Sequence, residues 1–387
     1  MYSVLTFNNI SSAGLDRFDE TLYRIDEDDT GPDVVLLRSY NMHEWPVPDS
    51  LKAVGRAGAG VNNIPVPRLG ERGIPVFNAP GANANAVKEL VIAGLLLASR
   101  NICEAWDYTR QLDLHGEELR RAVESGKKQY AGFELPGRTL GIVGLGSIGR
   151  RVANACIDLG MKVIGHDPML TVDGAWLLSN QVQRATNMEQ LLSRSDFVTF
   201  HVPLNDSTRH MINSSNIHHL KRGATVLNFA RDGIVEEEVV CQATADGRVH
   251  AYVTDFPTDR PAVCNRVIQL PHLGASTQEA EDNSAIMVVE QIRDFLENGN
   301  VVNSVNFPEV RMVRGSEYRL VVAHSNVPNM LGQISTAMAN ADLNIHDMIN
   351  QSKGPLAYTV VDTDSPIPES LVDQILAIEG VMMARSL

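Results

Sequence analysis

The sequence predicts an α/β protein with two doubly wound parallel sheets and a smaller C-terminal βαββαβ domain. Three observations lead there. Short runs of nearly continuous Val, Ile and Leu alternate with helix-forming stretches, the pattern of parallel strands buried on both faces. The hexapeptide GLGSIG (144–149) directly follows one such run and opens a helix. The segment 317–387 has its own rhythm, in which two helical stretches interrupt four strand-like ones.

The elements follow in order. Strands are predicted at SVLTF (3–7), DVVLLRS (33–39), LKAVGRA (51–57) and IPVFNA (74–79), set off by turn residues. From Asn83 to about Asp113 the period becomes helical. NANAVKELVIAGLLLASRNICEAW is too rich in Ala and Leu to face solvent, so it is expected between domains or subunits. Six more strands follow at RTLGIVG (138–144), MKVIGHD (161–167), DFVTFHV (196–202), ATVLNFA (224–230), HAYVTDF (250–256) and RVIQLPH (266–272), with helices at 147–159 and 188–194. A long helix, 277–299, stops at NGN. The tail reads strand 318–324, helix 328–341, strands 343–349 and 356–362, helix 367–378 and strand 381–387, the ferredoxin-like order.

Composition narrows the class. At 387 residues the chain exceeds what one core usually supports, so two or three domains are expected. Lys plus Arg is 33 against 47 Asp plus Glu, a net charge of −14, which repels phosphodiester backbones and anionic lipid. Neither nucleic acid nor membrane is an expected partner. The four cysteines, Cys103, Cys156, Cys241 and Cys264, are far apart without a CxxC, so free buried thiols are expected and a metal site is not. With neither a basic leader nor a membrane-length apolar run, the expectation is a cytoplasmic enzyme.

GLGSIG meets the contextual test for a dinucleotide fingerprint. Gly144 permits the tight turn, Gly146 lets a pyrophosphate approach the backbone, and Gly149 allows close helix–strand packing, while the helix N-terminus supplies amide donors. Asp167 ends the next strand, 18 residues after Gly149. A carboxylate there accepts ribose hydroxyls and repels a 2′-phosphate, so NAD is favoured over NADP.

Hydride transfer from an alcohol carbon needs a proton acceptor and a cation for a carboxylate. Arg231 stands just beyond ATVLNFA, at a strand end where a doubly wound sheet binds its ligand, and its fork suits a carboxylate. His272 has the equivalent place after RVIQLPH, and an imidazole is the side chain suited to proton transfer. Arg56 is the best further cation, with the amides of Ala57 and Gly58 available to the carboxylate. Lys127 and Lys128 could reach a neighbouring subunit's site or lie as solvated surface charge.

GLGSIGRRV, HVPLNDSTRHMI, LNFARDGIV and LPHLGASTQEA, in this order, resemble the D-isomer-specific 2-hydroxyacid dehydrogenases. The resemblance covers about residues 1–305. It implies a catalytic set of Arg231, Asp259 and His272, with Asp259 where the family usually has glutamate. It implies NAD contacts from Gly144, Gly146, Ser147, Ile148, Gly149, Asp167, Val202, Pro203, Phe229, Ala230, Arg231, Asp255, His272, Gly274 and Ala275. Asp255 would receive the nicotinamide carboxamide, with Thr254 as the alternative register. Arg56, Ala57, Gly58, Asn78, Gly81, Arg231 and His272 would hold substrate. VGRAGAGVNNIPV, NAPGANANAVKELVIAGLL and NSVNFP resemble more narrowly the branch acting on a small phosphorylated 2-hydroxyacid, a resemblance that implies a phosphate for Arg56 and 2-oxoglutarate reduction as a side activity.

HSNVPNMLGQIS…DLNIHDM resembles the ACT regulatory domain, which implies an L-serine effector on His324, Asn326 and Asn344. Asn329 stands where glycine is usual there, and Asn tolerates positive φ. The expected domains are substrate binding (1–95 and 284–305), NAD binding (96–283), a linker (306–316) and the ACT-like domain (317–387), in a homodimer or homotetramer. Two alternatives stay open: a dehydrogenase of another D-2-hydroxyacid, such as 2-hydroxyglutarate or a glyoxylate-type acid, and a non-catalytic NAD-sensing protein.

Overall fold

A computed structural model describes residues 1–26, 28–258 and 266–387. The chain divides into two compact units, Met1–Asn83 with Gln278–Leu387, and Ala84–Thr277.

The first unit begins with strands β1 (Tyr2–Phe7), β2 (Tyr23–Ile25), β3 (Val34–Leu37), β4 (Ala53–Arg56) and β5 (Val76–Asn78). They form one sheet in the order β2-β1-β3-β4-β5 with every pair parallel. The sequence reading missed β2, an edge strand of three residues of which only Tyr23 is buried, too short to show a period. The helix Gln278–Asn298 covers this sheet, packing Val288, Ile292 and Phe295 into one core with Val34, Leu36 and Ala53.

The second unit holds β6 (Thr139–Val143), β7 (Lys162–His166), β8 (Gln183–Arg184), β9 (Phe197–Phe200), β10 (Ala224–Asn228), β11 (Val249–Thr254) and β12 (Val267–Gln269). Their order is β12-β11-β10-β9-β6-β7-β8, again all parallel, the doubly wound arrangement. All C-terminal ends therefore lie along one edge, and the loops that follow them share it. The single apolar helix expected across 83–106 is instead two, Ala84–Arg100 and Ile102–Gln111, because Asn101 takes a left-handed conformation (φ 50°) between them. The first packs Val87, Val91, Leu95 and Ala98 into the core of this unit. Cys103 and Cys156 are free thiols, but Cys241 is disulfide-bonded, which corrects the expectation for that residue. Cys241 sits half-buried on the helix Glu237–Ala245 rather than sealed in the core.

The C-terminal region, within the first unit, is a four-stranded antiparallel sheet of β13 (Tyr318–Ser325), β14 (Ile345–Lys353), β15 (Leu356–Thr363) and β16 (Val381–Ser386) in the order β14-β15-β13-β16. Helices Met330–Asn340 and Glu369–Leu376 cover one face through Ile334, Met338, Leu371 and Ile375. The other face presents Val321, Ala323, Tyr358 and Val360, which join the core that contains Phe295 and Phe77. Arg319, wholly buried, fastens this join. Its Nε and Nη2 meet Asp362 at 2.6 and 2.9 Å, and its Nη1 donates to the carbonyls of Asn298 and Met312. No helix among the described residues is long and apolar enough to cross a membrane.

Candidate active site

The fingerprint turn has the shape its glycines imply. Gly144 lies at φ +88°, and a Cβ there would stand 2.6 Å from the His201 carbonyl and 2.8 Å from Val202 Cγ1. The turn after β6 is thereby packed against the loop after β9. A Cβ on Gly149 would meet the Gly144 carbonyl at 2.0 Å, so only hydrogen fits where the helix Ser147–Asp158 crosses the turn. Around Gly146 nothing lies within 4 Å of the added carbon. The backbone is open at the point where a diphosphate would approach.

Asp167 follows β7 and accepts hydrogen bonds from the amides of Leu145 and Met169, both at 2.8 Å. Two amide bonds leave further lone pairs of a carboxylate for hydroxyl donors. It lines a cleft of about 310 Å³ with the apolar Leu145, Pro168, Leu170 and Val182 and the polar Gln183 and Arg184. Val202 and Pro203 follow β9 on the same edge.

Past β10, Phe229 and Ala230 are only 5% and 8% exposed, whereas Arg231 is exposed. Its Nη1 donates to the Ala230 carbonyl at 2.7 Å, leaving most of the fork to the solvent side. Asn228, which the sequence reading passed over, grips the backbone beneath it. The signal was present, since an Asn at a strand end that bonds two residues ahead is a known turn device.

Asp255, after β11, is fully buried. Its Oδ2 accepts from the Gly274 amide at 3.1 Å, and its Oδ1 has no hydrogen-bond partner among the described residues. Burial pushes its carboxyl above the ordinary value, and the charge of His272 with the amides of Gly274 and Leu273 only partly offsets this. Thr254, the alternative register, is also buried and caps the turn by accepting from the Phe256 amide at 3.1 Å. His272 is exposed, with its ring 4.9 Å from that of Phe256. Asp255 and His272 are therefore brought together at the ends of adjacent strands. Asp259 lies outside the described residues.

The residues present fit a dinucleotide: an open glycine turn at a helix N-terminus, a carboxylate in a partly apolar cleft, and a buried acceptor, Asp255 Oδ1, that has no partner among the described residues and suits an amide donor. Ser147 and Ile148 open that helix, and Ala275 follows Gly274 on the turn after β12.

On the first sheet, Arg56 ends β4 beside Asn78 at the end of β5. Arg56 Nε donates to the Arg38 carbonyl at 3.0 Å, and its guanidinium lies over Gly58, where a Cβ would fall 2.5 Å from Nη1. Asn78 donates to the Ala59 carbonyl at 2.6 Å, and Gly81 turns the chain at φ +79°. The amides expected to take a carboxylate are engaged: Ala57 donates to Leu37 (2.9 Å) and Gly58 to Arg56 (2.8 Å). Ala57 continues the β3–β4 ladder by one residue, so this part of the expectation is corrected. Sequence reasoning also missed Arg38, the cation just past β3, whose Nη1 pairs with Glu281 at 2.7 Å. Its position after a strand, like that of Arg231, could have marked it. Lys127 and Lys128 lie exposed in a 3-10 turn, Lys127 paired with Glu124.

In the C-terminal sheet His324 is buried between the Ser325 carbonyl (2.9 Å) and Thr359 Oγ1 (2.8 Å), and Asn326 donates to the Gly354 carbonyl at 3.2 Å. Asn344 is elsewhere, donating to Asp364 at 2.5 Å. His324 pairs with Ala357 and Ile345 with Thr363, so one chain sets Asn344 at the far end of β15, roughly 20 Å away at strand rise. Asn329 adopts φ 65°, and the turn survives the missing glycine.

Comparison with known proteins bears on the family and the fold. Residues 92–276 match the family model described as D-isomer specific 2-hydroxyacid dehydrogenase, NAD binding domain. A D-3-phosphoglycerate dehydrogenase of Methanocaldococcus jannaschii is 36% identical over 310 residues, 78% of this chain but 56% of that protein. Enzymes of the same name are 34% identical in Haemophilus influenzae, over 87% of this chain and 81% of theirs, and 33% in Escherichia coli, over 88% and 82%. Among solved structures, NAD+-bound 3-phosphoglycerate dehydrogenase of Entamoeba histolytica superposes with a TM-score of 0.61 at 24% identity, covering 79% of this chain and 98% of that one. Apo D-mandelate dehydrogenase of Rhodotorula graminis reaches 0.66 at 20%, covering 79% and 97%, a likeness of fold alone. With a relative 34% identical across four fifths of its length, the chain belongs to the D-isomer-specific 2-hydroxyacid dehydrogenases, a family of NAD-dependent oxidoreductases.

Proposed function

We propose that the chain oxidises D-3-phosphoglycerate to 3-phosphohydroxypyruvate, the first step of serine biosynthesis, in the cytoplasm. The observation that carries the chemistry is the row Arg231, Asp255 and His272, standing after three adjacent parallel strands on the same sheet edge as the open glycine turn. The names of the relatives carry the substrate. NAD, when bound, supplies the hydride acceptor for C2. Arg231 grips the substrate carboxylate and C2 oxygen with two parallel donors. His272 takes the hydroxyl proton, and Asp255 holds the turn on which His272 rides. Asp259 is the further carboxylate we assign to the imidazole. Arg56 and Arg38 on the first sheet are the cations for the phosphate.

The test is a steady-state assay with 3-phosphoglycerate and NAD on the parent, Arg231→Ala and His272→Ala. NADH formation by the parent, cut about 10²–10⁴-fold in His272→Ala, is expected. NAD binding without turnover by the parent would replace this reading with that of a sensor.

For the C-terminal sheet we propose an L-serine site in which Asn344 of a second copy completes His324 and Asn326. The exposed edge strand β14 supports pairing between copies, as do the helices Ile102–Gln111 and Gly116–Gly126, which bury no residue in the single chain and leave Trp106 61% exposed. Millimolar L-serine should slow the parent but not an Asn326→Ala, Asn344→Ala variant. An unresponsive parent overturns the effector role, and a monomer by light scattering overturns the shared site.

A further inference from the structure

The substrate arginine proposed above stands on a turn that one side chain holds from both sides. Asn228 ends β10 and is 2% exposed. Its Oδ1 accepts from the Ala230 amide at 3.2 Å while its Nδ2 donates to the Arg231 carbonyl at 2.9 Å. A single planar carboxamide thus spans Phe229, Ala230 and Arg231. Few side chains could do this, since the bracket needs an acceptor and a donor on one short rigid group. Aspartate lacks the donor, and serine is a single atom that cannot reach both ends.

One neighbour keeps that turn in place. Phe229, 5% exposed, lies against the helix Ala84–Arg100 at Gly94, where an added Cβ would stand 3.0 Å from its ring. The residue on one side of the turn is wedged, the carbonyl at its end is held, and the guanidinium leaves from that fixed point. Binding a carboxylate with a bidentate fork depends on direction as much as on charge.

We propose that Asn228 is a positioning residue for the reaction. By bracketing Phe229–Arg231 it sets the direction of the Arg231 guanidinium, and through it the alignment of the substrate carboxylate. This rests on the role of Arg231 stated above. A residue serving only to finish β10 would have the same burial, so the test must separate alignment from stability.

The full-length protein is assayed as Asn228→Ala, Asn228→Asp, Arg231→Ala and the Asn228→Ala, Arg231→Ala double variant. For each, kcat and KM for 3-phosphoglycerate, the Kd for NAD and the thermal midpoint are measured. Asn228→Ala is expected to lower kcat/KM up to about a hundredfold, the scale of a misplaced catalytic group, a larger factor than its loss of NAD affinity. Asn228→Asp keeps the acceptor toward Ala230 and loses the donor toward Arg231, so a partial loss is expected. In the Arg231→Ala background, Asn228→Ala should cost less than about twofold, because residues acting through one another are not additive. Equal losses in both backgrounds overturn the inference while leaving the role of Arg231 intact. Parental kcat/KM in Arg231→Ala overturns that role and the inference with it. If Asn228→Ala does not fold, Asn228→Asp carries the same comparison.

Discussion

The buried carboxylate of Asp255 holds the Gly274 amide at 3.1 Å and so fastens the end of β11 to the turn that carries His272. The carboxylate is shut away from water, with one oxygen lacking a partner among the described residues, an arrangement that costs stability.

Its cost has a sign that can be measured. Burial raises the Asp255 carboxyl above its ordinary 3.8, so the folded chain binds this proton more tightly than the unfolded one. Stability is therefore lost as pH rises from the unfolded value through the folded one. Asp255→Asn keeps an oxygen for Gly274 and removes the ionisation. Thermal melts should find the variant the more stable near neutral pH, with the gap closing as pH falls toward the ordinary carboxylate range, while its KM for NAD rises. A gap that is constant across pH would contradict the assignment.

The fingerprint glycines should fail in different ways. Gly149→Ala drives a Cβ into the Gly144 carbonyl and is expected to destabilise the fold by roughly 1–3 kcal/mol, with NAD binding weakened as a consequence. Gly146→Ala meets only open space, so its thermal midpoint should stay near that of the parent while NAD affinity falls. Calorimetric Kd values beside melting curves separate the two, and a stability loss in Gly146→Ala would contradict the open cradle.

Arg319 and Asp362 form a wholly buried pair. Removing one partner strands a charge, so Arg319→Met should cost about 3–5 kcal/mol by denaturant titration. Pairing it with Asp362→Leu should recover much of that loss. Burial alone would raise the Asp362 carboxyl, but the Arg319 guanidinium and the Gly315 amide outweigh it and hold it below its ordinary value. The stability contributed is thus present above the unfolded pKa and lost as pH falls through the folded one. Asp362→Asn should therefore flatten the acid limb of the stability profile.

The cations on the first sheet should read the phosphate. Arg56→Ala and Arg38→Ala are each expected to raise KM for 3-phosphoglycerate about 10–100-fold, the scale of a charge-assisted hydrogen bond. The rate with an unphosphorylated 2-hydroxyacid should change little. Equal losses on both substrates would assign these arginines to the fold instead.

Much of the fold could be read from the sequence because parallel strands buried on both faces write themselves as apolar runs. Edge strands do not, and β2 and Gln183–Arg184 were missed for that reason. The Ala84–Arg100 helix was visible as a period, but its break was not, since Asn101 enters the left-handed region without a glycine to announce it. In the site, Arg231 and His272 could be picked out by their places after strands. Asn228 and Arg38 occupy equally telling places, yet their work is done by backbone contacts that no spacing encodes.

By itself, the sequence determined the alternation of elements, the glycine turn, and the residues that follow each strand, because these depend on local chain geometry and burial period. Only the tertiary structure decided which groups share an environment. It buried Asp255 beside His272, turned the amides of Ala57 and Gly58 inward to the β3 carbonyls and their own turn, and joined the C-terminal sheet to the first sheet's core through Arg319. It also set Asn344 at the opposite end of its sheet from His324. Such pairings depend on sheet order and register, which are chosen by the packing of the whole chain.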